Sequence, residues 1–297
     1  MSMAKKHLNS DCVCRILGVA QFAAQWRYCA LHGGYMLYDY HTHTAASFDG
    51  RDSLDAMAQA ARNAGVAELA ITDHIDLCGQ KPESDCLVTE KEFERVRALY
   101  PDVSLVRGME LGQAHHDLSA ADALMRDYQP EFTIGSLHNL KLALDFYFLT
   151  FNCAESAYEV LNLYVDELFE LVAWGKFSVL GHLTYPLRYI PKELNIDFTR
   201  YYPRIVELFN VVIDKGLGIE LNVAGMDRPE QGNRTHPDLP LLKLYRECGG
   251  EIITIGSDAH TADRVGANLQ AGQALLREVG FTRLSRFTDG QLSFVAF

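Results

Sequence analysis

His41 and His43 flank a single threonine, and Asp258 and His260 flank a single alanine. In an extended strand, positions two apart point to one side, so each pair presents two ligand-type groups together. Imidazole and carboxylate groups held in this way can grip one divalent cation. The same chemistry recurs along the chain in Asp73-His74, Ser136-Leu137-His138 and Gly181-His182, each at the end of an apolar run. Glu110 follows the apolar run 103–109, where a carboxylate is costly to bury unless a cation or counter-charge neutralises it. Delivered by successive strand ends, these groups would converge on one polynuclear metal centre. Asp49, in Ser47-Phe48-Asp49-Gly50, fits either a ligand or an ordinary Asp-Gly turn.

Positioning such residues takes a repeated scaffold. Short apolar runs rich in Val, Ile and aromatics alternate with segments of helical period, the pattern of parallel β/α units. Seven strands are predicted, at 37–43, 67–74, 104–112, 132–138, 178–184, 218–222 and 252–260. Helix signals lie between them. Asp52 or Ser53 caps a run of Leu54, Met57, Ala58 and Ala61 that Gly65 ends, and Ser156 opens a long run ending at Gly175. Seven units with polar groups at their carboxyl ends predict a closed or nearly closed α/β barrel with the chemistry at its mouth. A doubly wound open sheet is the alternative, but it would gather its ligand at one reversal of strand order. The segment 284–297, around Asp289-Gly290, reads as a terminal β-hairpin.

The 297 residues suffice for one such barrel, assigned to 36–297. Residues 1–35 read as an N-terminal extension outside the fold, and Met36, one residue before the first strand, reads as the natural start. The balance of 27 Lys and Arg against 39 Asp and Glu gives −12, which argues against a nucleic-acid partner. No run of 18 apolar residues predicts a membrane span. Seven cysteines without paired spacing suit a reducing cytoplasm, and Cys12-Val13-Cys14 reads as unremarkable.

His41-Thr42-His43-Thr44, Ile71-Thr72-Asp73-His74, Gly108-Met109-Glu110, Gly135-Ser136-Leu137-His138, Gly181-His182 and Gly256-Ser257-Asp258-Ala259-His260 resemble, in order, the motifs of the PHP (polymerase and histidinol phosphatase) superfamily. Glu220-Leu221-Asn222 followed by Gly225, with the late Ser-Asp-Ala-His, is most similar to the stand-alone histidinol-phosphatase branch. The resemblance implies a distorted (β/α)7 TIM-like barrel with a trinuclear metal site. It implies that His41, His43, Glu110 and Asp258 hold one cation. Glu110 would bridge to a second cation held by His138 and His182, while Asp49, His74 and His260 hold the third. Zinc, iron or manganese suits these donors.

A cluster of this kind acidifies a water for attack and holds phosphoryl oxygens in line. Three divalent ions against Asp49, Glu110 and Asp258 leave a locally positive pocket in an acidic protein, as a phosphate dianion requires. Arg188, after His182, is the preferred phosphate clamp, with Arg228 as the second candidate. Asp258 is a candidate proton carrier to the leaving oxygen. Asn222 orients a ligand, lines the pocket, or simply ends a strand. His115 and His116 read as solvent-exposed or pocket-rim groups. Ser47 and Ser257 lack a nucleophile-elbow context. The resemblance implies hydrolysis of L-histidinol phosphate in histidine biosynthesis. The alternatives are a phosphatase for another small phosphoester, an amidohydrolase, or a non-catalytic PHP module. The sequence predicts no oligomeric state.

Overall fold

A computed structural model describes residues 36–77, 87–224, 226 and 238–297, so the reading of 1–35 lies outside the described residues. Its parallel strands are β1 (Leu37–Asp39), β2 (Val66–Ile71), β3 (His74–Asp76), β4 (Ser104–Gly112), β5 (Phe132–Ser136), β6 (Val179–Leu180), β7 (Gly218–Asn222) and β8 (Ile253–Gly256). They are paired in the order β1-β2-β4-β5-β6-β7-β8, with β3 beside β4. The seam between first and last strands is closed by backbone bonds from Tyr40 to Ile255, Asp258 to His41 and His43 to Ala259, at 2.8–2.9 Å. The result is the predicted seven-position α/β barrel.

Strands β4 and β7 have the predicted bounds, and the others are shorter than predicted. The second predicted strand breaks into β2 and β3 at Thr72-Asp73. There Asp73 turns its carboxylate onto the backbone N–H and hydroxyl of Thr44, at 2.6 and 2.9 Å, which ties down the loop after His43. The first and last strands likewise leave regular pairing before their histidines. Thr42 and Ala259 still make an isolated parallel bridge.

Seven α-helices are present among the described residues: α1 (Leu54–Ala64), α2 (Glu90–Leu99), α3 (Leu118–Tyr128), α4 (Ala154–Trp174), α5 (Tyr202–Asp214), α6 (Asp238–Glu247) and α7 (Leu269–Val279). In α1, Leu54, Met57, Ala58 and Ala61 form the buried stripe. Its start is capped by Ser53, which accepts from the Ala56 amide, and Gly65 ends it at φ 73°. Helix α4 starts two residues before the predicted Ser156, whose hydroxyl instead donates to the Cys153 carbonyl within the first turn. With helices outside, every residue of β2, β5 and β7 is buried, as expected for a parallel sheet covered on both faces.

The terminal hairpin, β9 (Arg283–Thr288) and β10 (Gln291–Ala296), closes the end where the strands begin. Phe287 packs 5.0 Å from Phe132, the first residue of β5, and Ser285 accepts from the amide of Ile253, the first residue of β8. Buried Glu68 receives the guanidinium of Arg286 and the hydroxyl of Tyr40. This leaves the opposite, carboxyl end of the barrel for the site. Removing one member of a buried ion pair strands the other charge. Arg286→Met is therefore expected to cost about 3–5 kcal/mol, read as a lower denaturant midpoint at unchanged slope. A loss below about 1 kcal/mol would mean that the pair contributes no more than a surface one.

Candidate metal centre

Glu110, near the end of β4, is fully buried, and its two oxygens face different histidines. Oε1 accepts from the Ser136 hydroxyl at 2.6 Å and stands 3.1 and 3.0 Å from Nε2 of His138 and His182. Oε2 stands 2.9 Å from His41 Nε2, 3.1 Å from His74 Nδ1 and 3.5 Å from His43 Nε2. Asp258 Oδ1 lies 3.4 Å from His43 Nε2 and 3.6 Å from His41 Nε2. Farther out, Asp49 Oδ2 is 2.9 Å from His260 Nε2 and 3.7 Å from His74 Nε2. The His43 ring is stacked between those of His74 and His260, with centroids 4.3 Å from each. Every ligand predicted from the sequence thus arrives in one cluster. The donor atoms of His43, Asp49, His74 and His260 all lie within 4.8 Å of one another, as do those of His41, Glu110 and His182 and those of His41, His43 and Asp258.

The donor set fits cations on the behaviour of its nitrogens. Both ring nitrogens of His43, and Nδ1 of His74, are buried without a hydrogen bond. Unsatisfied buried nitrogens are costly, and a cation is the acceptor of lone pairs that would satisfy them. Burial and the neighbouring His74 push the His43 pKa down to about 3, so the ring is neutral, the form that ligates. Burial opposes charge on His41 as well, but Glu220, Glu110 and Asp258 outweigh it and raise its pKa.

Three histidines are aimed by their other nitrogen. His41 Nδ1 lies 2.6 Å from Glu220, His138 Nδ1 lies 3.0 Å from Asp76, and His260 Nδ1 lies 3.0 Å from the Asp258 carbonyl. Each acceptor selects the tautomer with hydrogen on Nδ1 and leaves the Nε2 lone pair facing inward. Glu220 also accepts from the His182 amide and from Asn222, whose Nδ2 reaches Asp258 Oδ2 at 3.1 Å. Asp76 was not singled out in the sequence, although it stands two residues after His74 and so on the same side of β3. Two glycines make room for this packing. A Cβ on Gly112 would sit 1.8 Å from Asp76 Oδ1, and one on Gly256 would sit 2.2 Å from the His41 Cβ. Asp258 itself adopts φ 55°, a left-handed conformation that costs an aspartate about 1 kcal/mol or more and is held by the surrounding bonds.

Arg188 lies at the cluster. Its Nη2 donates to Asn222 Oδ1 at 3.1 Å, and Nη1 is 3.6 Å from Asp258 Oδ2. It lines a cavity of about 160 Å³ together with His74, His138, His182, Asp258 and His260. An adjoining space of about 450 Å³, sharing Asp49, Asp258 and His260, adds Arg51 and Arg264. Arg228 lies outside the described residues, as does Gly225. The reading of His115 and His116 as exposed or rim groups is corrected. Their side chains are 3% and 6% exposed, both meet Glu167 of α4, and neither lines the cavity.

The PHP domain family matches residues 39–224. A probable histidinol-phosphatase of Clostridium acetobutylicum is 26% identical over 79% of this chain and 91% of its own length. The histidinol-phosphatase of Lactococcus lactis is 24% identical over 84% of this chain and 94% of its own. A crystal structure of histidinol phosphate phosphatase from Lactococcus lactis, complexed with zinc, L-histidinol and phosphate, has a similar fold. It superposes with a TM-score of 0.72 at 22% identity, covering 86% of this chain and 98% of that one.

The carboxylate behind His138 generates a graded expectation. His138→Ala removes a donor and is expected to lower bound zinc measured by elemental analysis, whereas Asp76→Ala should keep the donor but weaken affinity roughly 10–100-fold, recoverable with added zinc. Unchanged zinc content and affinity in both would remove His138 from the centre.

Proposed function

The chain belongs to the PHP domain family, and on that premise we propose that it is a metal-dependent phosphomonoesterase. Its substrate in this reading is L-histidinol phosphate, hydrolysed to L-histidinol and phosphate in histidine biosynthesis. The observation that carries it is the single Glu110 carboxylate shared by two sets of histidines beside a cavity that also holds Arg188. In this reading, as the family resemblance implies, His41, His43, Glu110 and Asp258 hold one divalent cation, Glu110, His138 and His182 a second, and Asp49, His74 and His260 a third. When bound, such cations supply Lewis acidity, acidifying the attacking water and neutralising phosphoryl oxygens.

The protein's own groups do the rest. The Arg188 guanidinium, held by Asn222, supplies a planar fork to the phosphate, and Asp258 Oδ2, next to both, carries the proton to the leaving oxygen. The organic part of the substrate bears an ammonium and an imidazole. The cavity is also lined by Asp145, Tyr185 and Tyr189 and by exposed Phe48. Asp145 is fixed by the Tyr147 amide at 2.7 Å and the Tyr185 hydroxyl at 3.3 Å. This carboxylate and the neighbouring rings suit the cationic end. A cytoplasmic setting belongs to the same reading. Among the described residues no helix is long and apolar enough to cross a membrane, and the two described cysteines, Cys153 and Cys248, are free thiols.

Phosphate release by zinc-reconstituted protein, from L-histidinol phosphate beside a panel of nucleotide and sugar phosphates, tests the assignment. Strong preference for histidinol phosphate is expected, and equal or better turnover of another ester would move the enzyme to that substrate. Arg188→Met is expected to lower kcat/KM about 10–100-fold on every ester, the size of a lost charged hydrogen bond of about 1.5–3 kcal/mol. Asp145→Asn should raise KM for histidinol phosphate but not for p-nitrophenyl phosphate, which has no cationic end. Parallel changes on both substrates would exclude Asp145 from recognising the amine or imidazole.

A further inference from the structure

A second group of metal-type donors stands apart from the cavity. A short turn at Ala114–His116, directly after β4, carries His115 and His116, and both Nε2 atoms converge on Oε2 of Glu167 in α4, at 2.9 and 2.7 Å. Side chains of consecutive residues ordinarily diverge. Here Gln113 at φ 52° turns the backbone, and the two rings meet at 4.3 Å and 69° with their Nε2 edges on one oxygen. The three donor atoms lie within 4.8 Å of one another. Glu110 Oε1 gathers His138 and His182 in the same way in the main centre, with two Nε2 atoms at 3.1 and 3.0 Å from one carboxylate oxygen.

The surroundings resemble those of a ligand set more than of a surface ion pair. The three side chains are 3%, 6% and 15% exposed. The other Glu167 oxygen accepts from the Lys141 amide at 2.9 Å, an outer bond of the kind that orients ligating carboxylates. His115 Nδ1 is buried without a hydrogen bond, so among the described residues the polar contact that orients this ring is made through Nε2.

We propose that His115, His116 and Glu167 form an accessory site for a borderline divalent cation, zinc foremost, separate from the catalytic cluster. Two imidazoles with one carboxylate select zinc-like ions over magnesium or calcium, and the slight exposure of Glu167 leaves a position for water. The site is a clasp. It joins the turn after β4 to α4 and, through Lys141, to the segment after β5 that carries Asp145. It does not depend on the phosphatase reading, since none of its donors lines the catalytic cavity.

The test is a zinc titration of the full-length protein, with its main centre already loaded, against a chromophoric chelator. Wild type is expected to take up one more zinc than His116→Gln or Glu167→Gln, and this extra ion should raise the wild-type Tm only. Equal uptake by folded wild type and variants would overturn the site. Should the variants fail to fold, anomalous scattering at the zinc edge in wild-type crystals decides. A peak between the two Nε2 atoms and Glu167 supports the site, and a filled main centre with no peak there overturns it.

Discussion

A fully buried carboxylate at the centre of the barrel mouth sets the terms for everything around it. The described partners of Glu110 are the Ser136 hydroxyl and imidazoles, with no guanidinium or ammonium among them. An ionised carboxylate cannot stand in such a place without compensation. Burial resists protonation of the surrounding imidazoles and prevails at His43, whereas the carboxylates facing His41 and His138 outweigh it and raise their pKa. In the proposed centre, cations held by the imidazoles would take over that compensation. The same requirement accounts for Glu220 and Asp76, which supply hydrogen-bond acceptors on the outer side of the rings so that the lone pairs face in.

The clustering of these side chains was legible in the sequence because they sit where strands end, and strand ends are marked by apolar runs. The two-residue period of an extended chain was enough to bring His41 with His43 and Asp258 with His260 to notice, although both pairs lie beyond the strand ends and Asp258 adopts φ 55°. Glu110 was marked by the cost of burying it. Arg188 was legible as a position but not as a partner of Asn222, since that contact joins segments far apart in sequence. The break between β2 and β3 was not legible either. It arises from Asp73 preferring the Thr44 amide and hydroxyl to continued pairing, a tertiary choice that no local pattern records.

The clearest misreading concerned His115 and His116. Adjacent histidines after a strand look like a solvated loop, and the carboxylate they meet is Glu167, one β/α unit later on α4. Nothing in the local composition of 113–117 announces a carboxylate from that helix. The closed or nearly closed barrel was readable from alternation of runs, but the bonds that close it were not, because they lie in irregular backbone at Tyr40, His43 and Asp258 beyond the ends of β1 and β8.

That closure has a consequence for how the protein is made. The seam joins segments at opposite ends of the barrel sequence: Ser257 bonds to Asp39 across 218 residues of chain. During synthesis at about 5–20 residues per second, the first histidine pair emerges on the order of 10–40 s before Asp258 and His260 exist. For that interval His41 and His43 belong to a nascent chain without their partner strand. The full side-chain cluster is therefore a product of the last stage of folding, and the ribosome-bound barrel presents only fragments of it.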